Sequence, residues 1–185
     1  MTKMPRNWPV VRFGEINQFT TRSTDPSTSP KEALELYSVP SFPSGFPEIQ
    51  LGAEIGSTQQ QVEPGDVLVC KINPRINRVW LVLARQSHRQ IASSEWIGIR
   101  APEVDARFLR YYFESPEFRE FICREVTGVG GSLTRAQPKR IATCPIPIAS
   151  HDEQKRIADK LDALLARADA CRERLNRVPA ILKCF

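Results

Sequence analysis

The sequence lacks the apolar segments that a membrane protein needs. No run approaches the length of a bilayer span, and the first residues, MTKMPRNWPVV, contain no signal-peptide apolar region. We therefore predict a cytoplasmic protein with no membrane partner. A chain of 185 residues with 41% hydrophobic residues is long enough for one sizeable core, so we expect one globular domain.

Histidine is scarce, and cysteine occurs without a ligand or redox pattern. The two histidines, His88 and His151, are far apart, and no C-x-x-C pair occurs. The G-x-S-x-G, P-loop and G-x-G-x-x-G motifs are also missing. We therefore predict that this chain has no catalytic residue, no metal site and no bound cofactor. The thiols that we predict to be reduced and mostly structural are Cys70, Cys123, Cys144, Cys171 and Cys184.

Acidic residues are missing from two long segments, although the chain has 21 of them. No Asp or Glu lies between Asp66 and Glu95, or between Glu125 and Asp152. Basic side chains and small hydroxyls beside a glycine turn suit contacts to the phosphates of a nucleic acid. A solvated charged face is the alternative, and a net charge of +5 does not decide between them. The candidate DNA-binding residues are Lys71, Arg75, Arg78, Arg85, Arg89, Ser132, Thr134, Arg135, Lys139 and Arg140.

Short strands followed by helices, without an internal repeat, predict the α+β (mixed α/β) fold class. Glu63-Pro64-Gly65-Asp66 has the residue types of a type II turn, which leads into a buried strand at residues 67–70. Strands at 78–84 and 95–100 complete the centre of the predicted sheet, with a polar turn between them. The other predictions are a strand or turn within 8–16, loops at 20–31 and 40–49, a strand at 34–39, helices from Asp105 and from Ser115-Pro116, and a sheet edge or connector at 141–148.

Several aromatic residues have a predicted place. Phe42 and Phe46, in a proline-rich loop, either fold inward or face a partner. The residues expected in the core or at a cap are Trp80, Trp96, Asp105, Phe108, Leu109, Tyr112 and Phe113.

The chain ends in a helical pattern over residues 150–178. Small and apolar residues recur there with the strict 4-3 spacing of a coiled-coil seam, which is narrower than the apolar face of an ordinary core helix. Ser150 and Glu153 form a predicted capping box, and Pro179 is expected to end the helix. The alternative is that the seam packs on its own domain. The predicted seam residues are Ile157, Leu161, Leu164, Ala168, Cys171, Leu175 and Val178.

Several stretches, in this order, resemble the DNA specificity subunit of type I restriction-modification systems. They are PGDVLVCKINPRINRVWLV, IASSEWIGIR, DARFLRYYFESPEF, GVGGSLTRAQPKRI and CPIPIASHDEQKRIADKLDALLARADACRERL. The resemblance covers most of residues 8–185. Residues 20–62 match no motif, which is typical of a segment where the target sequence is read.

The resemblance implies a non-catalytic target recognition domain at residues 1–149 and a coiled-coil spacer or dimerisation helix at 150–178. Residues 179–185 would be the start of a further helical segment or a truncated tail. The implied partners are double-stranded DNA, methyltransferase subunits and, in the full complex, a restriction subunit. S-adenosylmethionine would be bound by the methyltransferase subunits and ATP by the restriction subunit, not by this chain.

A full specificity subunit has two recognition domains, whereas this sequence has one. It is therefore either half of a longer subunit or a half-subunit that pairs with itself through the helix and reads an interrupted palindrome. A second hypothesis is a coiled-coil interaction module that occupies methyltransferase subunits without reading DNA itself.

Overall fold

The computed structural model of the chain describes residues 8–84, 87–124, 126–127 and 134–182. The strands are β1 (Val10–Arg12), β2 (Ser23–Thr24), β3 (Ala33–Tyr37), β4 (Glu48–Leu51), β5 (Gln59–Gln61), β6 (Val67–Cys70), β7 (Val79–Leu81), β8 (Arg89–Ser93), β9 (Trp96–Ile99), β10 (Val126–Thr127), β11 (Arg135–Ala136) and β12 (Pro145–Pro147). The α-helices are α1 (Phe13–Ile16), α2 (Ala106–Glu114), α3 (Pro116–Arg124), α4 (Pro138–Ile141) and α5 (His151–Leu182). None of the helices in these ranges has the length and apolar character of a membrane span.

One sheet has the strand order β7-β6-β9 and is antiparallel throughout. It is the sheet expected from residues 67–100, and every residue of its central strand β6 is buried. The turn before β6 is also confirmed in its key feature, since Gly65 has φ +92°, a value that glycine adopts without strain. The outer strands are shorter than the predicted ranges by two to four residues.

A second sheet, with the order β2-β5-β8-β3-β4, is only partly foreseen. Strand β3 overlaps the predicted range 34–39 and begins one residue before it, but β8 occupies the segment expected to be a polar turn. β8 is nevertheless central, pairing in parallel with β3 and antiparallel with β5. The predicted loops also contain β2 and β4. Strands β2 and β8 were missed because their Ser, Thr, Gln and Arg residues supply little apolar alternation. Strand β4 does alternate, but it is short and directly follows the proline-rich stretch.

The two helices α2 and α3 form as predicted. The carboxylate of Asp105 accepts hydrogen bonds from the amides of Arg107 at 2.8 Å and Phe108 at 3.1 Å. The Ser115 hydroxyl accepts from the Phe118 amide at 3.2 Å, so it caps the start of α3. Both helices pack on the β6 side of the molecule, in the main core. Its largest contributors from these helices are Phe108, Leu109, Phe113, Phe118 and Ile122.

A second core holds the aromatic residues between the sheets. The rings of Tyr37 and Trp80 lie 4.8 Å apart, and Phe42 contacts both Trp80 and Trp96. Phe42 is therefore folded inward, whereas Phe46 is 68% exposed. The inward alternative is therefore confirmed for Phe42, and a partner for Phe46 stays a prediction.

The end of the globular part is a sheet edge, as its two prolines predict. Strand β12 pairs antiparallel with β1, with Val11 opposite Ile146. Since β12 pairs with β1 alone among the strands of the described ranges, the missing amides of Pro145 and Pro147 break no ladder there on its other side.

Helix α5 differs from its prediction at both ends. It continues through Pro179 to Leu182, so the expected stop at Pro179 is wrong. Proline removes one amide donor and crowds the preceding turn, but here the backbone after it remains helical. At the start, Ser150 precedes the first helical residue, as expected. The Glu153 carboxylate, however, accepts from the indole Nε1 of Trp8 at 3.1 Å instead of completing a capping box.

Candidate nucleic-acid interface

The loop at residues 71–78 is held in a defined shape by two asparagines. Asn73 and Asn77 have φ values of 45° and 51°, in the left-handed region that asparagine tolerates better than most residues. Between them residues Pro74–Ile76 form a 3₁₀ turn. The Asn77 side-chain amide donates to the Phe113 carbonyl at 2.8 Å, which fastens the loop to α2. Arg75 is exposed at the tip.

This loop is joined to the second acid-free segment by backbone hydrogen bonds. The Asn73 amide donates to the Thr134 carbonyl at 3.0 Å, and the Ala136 amide donates to the Lys71 carbonyl at 2.8 Å. Ile72 and Arg135 form the antiparallel bridge between them. We call residues 71–78 and 134–140 the basic joint. The fold thus brings together two basic segments that are far apart in the sequence, the first ending at residue 78 and the second beginning at residue 134.

The acidic residue Glu95 lies at the basic joint. The Glu95 backbone carbonyl accepts a hydrogen bond from the Lys71 amide at 3.0 Å, and the Glu95 carboxylate lies 3.5 Å from the Arg135 guanidinium. The Arg135 side chain is nevertheless 59% exposed. Because an exposed ion pair at this distance is weak, Arg135 can turn toward a phosphate at little cost.

The remaining candidates of the basic joint are placed in different surroundings. Lys139 and Arg140 lie on the exposed face of α4. Arg78 lies close to Cys70, where burial raises the pKa of the thiol against the opposing effects of an Ile72 backbone hydrogen bond and Arg78. Thr134 is only 6% exposed, so it holds the joint together from inside and does not present a surface hydroxyl.

Three candidates lie outside the basic joint as the structure describes it. Arg85 and Ser132, together with the glycines of the predicted turn, are outside the described residues. Arg89 begins β8 and binds Glu32 with both ends of its guanidinium, at 2.9 Å and 2.8 Å. The hydrogen bond from Arg89 holds the pKa of Glu32 below its ordinary value. Arg89 therefore braces the large sheet.

A cleft of about 470 Å³ opens beside Lys71 and Pro138, where β5 and β9 meet residues 17–23. Lys71 is the charged residue of its lining. The other polar lining residues are neutral, and they are Asn17, Thr21, Ser23, Thr58, Gln59, Gln60 and Ser94. Sequence reasoning did not select these residues individually. The signal that could have found them is the segment 20–62, which matches no family motif yet supplies most of the neutral lining.

The first turns of α5 are docked on the globular part by a polar cluster, which we call the α5 clasp. One guanidinium nitrogen of Arg107 lies 2.8 Å from both Asp159 and Asp162. Tyr111 donates to Asp162, and the Asp105 amide donates to Gln154 at 2.8 Å. The hydrogen bond to Asp159 is the largest cause that raises the pKa of Arg107, and the other carboxylates of the cluster act in the same direction. Arg107 therefore stays charged.

The predicted seam divides into a docked part and an exposed part. Ile157 packs against the main core, and Leu161 is half-buried, so the alternative of packing on the same domain holds for the first turns. From residue 163 to residue 178 every side chain is exposed. The exposed seam residues are Leu164, Ala168, Cys171, Leu175 and Val178, and Leu165, which the heptad pattern omits, is exposed beside them.

Metal ligands are not clustered in the described ranges. Among residues 8–84, 87–124, 126–127 and 134–182, His, Cys, Asp and Glu form no group of three or more that could hold an ion.

Comparison with known proteins shows which proteins share this arrangement. The chain is 27% identical over 132 residues to the Type I restriction enzyme StySPI specificity subunit of Salmonella potsdam, which covers 68% of this chain and 27% of that protein. It is 26% identical over 132 residues to the EcoKI specificity subunit of Escherichia coli K12, with the same coverage of 68% and 27%. No protein-family model matches the chain.

Two solved structures have the same fold. The HsdS subunit from Thermoanaerobacter tengcongensis matches with a TM-score of 0.75 and 24% identity, over 92% of this chain and 45% of that one. A chain solved in work on complex assembly and conformational transition of the type I R-M system matches with a TM-score of 0.73 and 25% identity, over 94% and 46%. This chain thus spans about a quarter of the length of the curated relatives and just under half of the solved chains.

These likenesses first define a class, an α+β domain with a long C-terminal helix as in the HsdS subunit. Within that class, the curated relatives are specificity subunits of type I restriction enzymes. The resemblance indicated by the sequence motifs is therefore confirmed: the chain is similar to a type I specificity subunit with one target recognition domain.

Proposed function

We propose that this chain is a DNA-binding specificity subunit, or part of one, of a type I restriction-modification system. In this proposal residues 1–149 read one half of an interrupted target in double-stranded DNA. The chain performs no catalysis and binds no cofactor. Adenine methylation with S-adenosylmethionine belongs to methyltransferase subunits, and ATP-driven restriction belongs to a restriction subunit.

The observation that carries the DNA-binding part is the basic joint. Two segments without acidic residues, each from a different part of the chain, are held side by side by two backbone hydrogen bonds of 3.0 Å and 2.8 Å. Exposed Arg75, Arg135 and Lys139 are distributed over the joint, and Lys71 lies where it meets the cleft. A surface with positive side chains on a rigid backbone is suited to the regularly spaced phosphates of a duplex.

Helix α5 supports the assembly part of the proposal. Its first turns are fixed by the α5 clasp, whereas its side chains from residue 163 to residue 178 are exposed. A helix with this exposed apolar stripe is stabilised by pairing with another helix. We propose residues 150–178 as a coiled-coil spacer that pairs with a second copy, or with the second half of a longer subunit, and that offers its charged positions to methyltransferase subunits.

The salt dependence of DNA affinity tests the DNA-binding part. Because each neutralised phosphate releases condensed counterions, the logarithm of the association constant should fall linearly with the logarithm of salt concentration. We expect Lys71→Ala and Arg135→Ala each to reduce this slope by about 1 and to weaken binding to all duplex sequences alike. Fluorescence anisotropy of labelled duplexes, measured over a salt series, gives both quantities.

A matched control is available on the same protein. Arg110 forms an ion pair of 2.8 Å with Glu114 within α2, outside the basic joint. Arg110→Ala removes the same charge, but it should leave the slope unchanged. If Arg110→Ala and Lys71→Ala gave the same slope, the charge of the whole chain would explain binding, and the basic joint would not.

The exposed stripe of α5 also favours a second candidate function. The chain could act as a coiled-coil interaction module that occupies methyltransferase subunits without reading DNA. Such a module would bind methyltransferase subunits and would show no salt-dependent affinity for DNA, so the same titration separates the two functions.

A further inference from the structure

We infer that the cleft beside the basic joint is the subsite where a nucleobase edge of the target is read. Its readers are the hydroxyls of Thr21, Ser23, Thr58 and Ser94, and Lys71 binds the adjoining phosphate. This inference rests on the proposed DNA-binding function, and it assigns sequence discrimination to residues that differ from those that supply affinity.

These four hydroxyls are free to bind a ligand. All four residues are exposed, and their side chains take part in no hydrogen bond within the described ranges. Several hydroxyls elsewhere in the fold are used internally. The Ser27 hydroxyl donates to Asp25 at 2.7 Å, for example, and the Ser44 hydroxyl donates to the Ser41 carbonyl at 2.8 Å. The cleft thus concentrates unused groups that can both donate and accept.

The lining of the cleft is neutral except at one residue. Apart from Lys71, the lining residues of the cleft are neutral. Phosphate contacts carry no sequence information directly, whereas hydroxyl and amide groups distinguish the donor and acceptor patterns of base edges. A neutral wall beside a cation therefore fits a base next to its own phosphate.

Hydrogen bonds and close packing hold both walls of the cleft in place. The Gln60 side-chain amide donates to the Ser93 carbonyl at 3.0 Å and to the Trp96 carbonyl at 2.9 Å, which ties β5 to the start of β9. On the other wall, the Phe19 ring lies on Gly98, where an added Cβ would meet the ring at 2.3 Å. Asn17 fixes this segment by donating to the Gly98 carbonyl at 3.3 Å. The backbone of both walls is thus held in place before DNA arrives, so little ordering of the chain is needed on binding.

Gln59 brings a buried acceptor without a donor to the cleft. This residue lines the cleft and is 5% exposed. Its amide nitrogen donates to the Ser57 carbonyl at 2.9 Å and hydroxyl at 2.8 Å, but its Oε1 accepts from no group in the described ranges. A buried acceptor without a donor is unfavourable, and the amino group of a base would supply that donor.

The test compares sequence preference with salt dependence. The double variant Thr21→Val and Thr58→Val keeps side-chain size but removes two of the readers. Random-sequence duplexes are bound to the full-length wild-type chain and to the variant, and the bound fractions are sequenced. We expect preference at one or more base positions to fall by about tenfold, the scale of one lost base contact, with the salt slope unchanged.

A neighbouring threonine gives the control. Thr20 is exposed like Thr21 but does not line the cleft, so Thr20→Val should keep the wild-type preference. A double variant whose preference equals that of the wild type would overturn the inference, while a normal salt slope in that experiment would leave the proposed function standing. A wild-type chain without salt-dependent DNA binding would instead refute the proposed function itself.

Discussion

At the scale of single residues, the most deeply placed charge is Asp66. Its side chain is 1% exposed and pairs with Arg100 through two hydrogen bonds of 2.7 Å each. It also accepts from the Glu63 amide at 2.8 Å, which closes the turn before β6. Arg100 itself is 30% exposed and lies over the Phe19 ring at 5.7 Å. This pair therefore links the turn, the end of β9 and a wall of the cleft.

We predict that Arg100→Ala destabilises the fold more than a typical surface substitution does. The change leaves the Asp66 carboxylate buried without its partner, and the expected loss is about 3 kcal/mol, the lower end of the range for breaking a buried pair because Arg100 is partly exposed. Chemical denaturation measures the free energy of unfolding. Arg124→Ala, which removes an exposed pair with Glu120, should cost less than about 1 kcal/mol. Equal losses would contradict the assigned role of Asp66.

The three tyrosines give a prediction on pH. Burial is the largest cause in each case, and it raises the pKa of Tyr37 and Tyr112 and raises that of Tyr111 to about 12. In the unfolded chain these phenols titrate near their ordinary value of about 10. Because the folded values are raised, the stability that these phenols contribute is fully present below pH 10 and is lost as the pH rises through the folded values.

Ultraviolet absorbance of phenolate during alkaline titration measures this difference. The native chain should show little phenolate at pH 10, where the chain in denaturant shows about half of its full signal. Tyr111→Phe should remove the step at about 12 without creating a step at 10. A native titration that coincides with the denatured one would show that the three rings are not buried as described.

At the scale of elements, the sequence predicts those parts whose signals are local. The turn before β6 and the caps of α2 and α3 depend on glycine, proline, aspartate and serine at fixed positions, and all three formed as expected. Strands β5 and β8 could not be predicted because their pairing is decided by distant partners, with Gln61 opposite Ile91. Glutamine-rich β5 carries no apolar alternation. Long-range pairing thus outweighs local propensity here.

The candidate site shows the same division. The acid-free segments were visible in the sequence, but their contact through Ile72 and Arg135 was not, because no local rule places residue 72 beside residue 135. Arg89 was selected for its charge alone, and the sequence contains no sign that Glu32 would bind it. The α5 clasp was also missed, because Asp159 and Asp162 occupy positions that the heptad pattern assigns to solvent.

The α5 clasp leads to a prediction about one helix. Arg107→Ala removes the guanidinium that bridges Asp159 and Asp162 and leaves two carboxylates facing Tyr111 across the contact. We expect faster hydrogen exchange of backbone amides at residues 151–162, with the core of β6 unchanged. Arg124→Ala, which removes an exposed ion pair with Glu120 on α3, should leave this exchange unchanged. Wild-type protection in Arg107→Ala would mean that Gln154 and Ala158 suffice to dock the helix.

At the scale of the whole molecule, the chain combines a globular part with a long helix whose side chains from residue 163 to residue 178 are exposed. The exposed stretch of α5 from residue 163 to residue 178 is about 24 Å long at 1.5 Å per residue. It keeps one apolar line, and charges of both signs occupy many of its other positions. Leu164 is 48% exposed and Leu175 is 69% exposed, although leucine in a helix usually faces a partner. The exposed line is therefore the surface at which the proposed coiled coil would form.

We predict that the chain associates through this line, which the solution mass over a concentration series measures. Leu164→Glu with Leu175→Glu should abolish the dimer because each paired leucine typically contributes about 2–5 kcal/mol and a buried glutamate opposes association. Leu161 is unsuitable for this test since it is half-buried against the same chain. Ala166→Glu adds a comparable charge at an outward heptad position and should leave the dimer intact. A monomer at every concentration would exclude self-pairing, and the target would then be an asymmetric sequence read with the second half of a longer subunit.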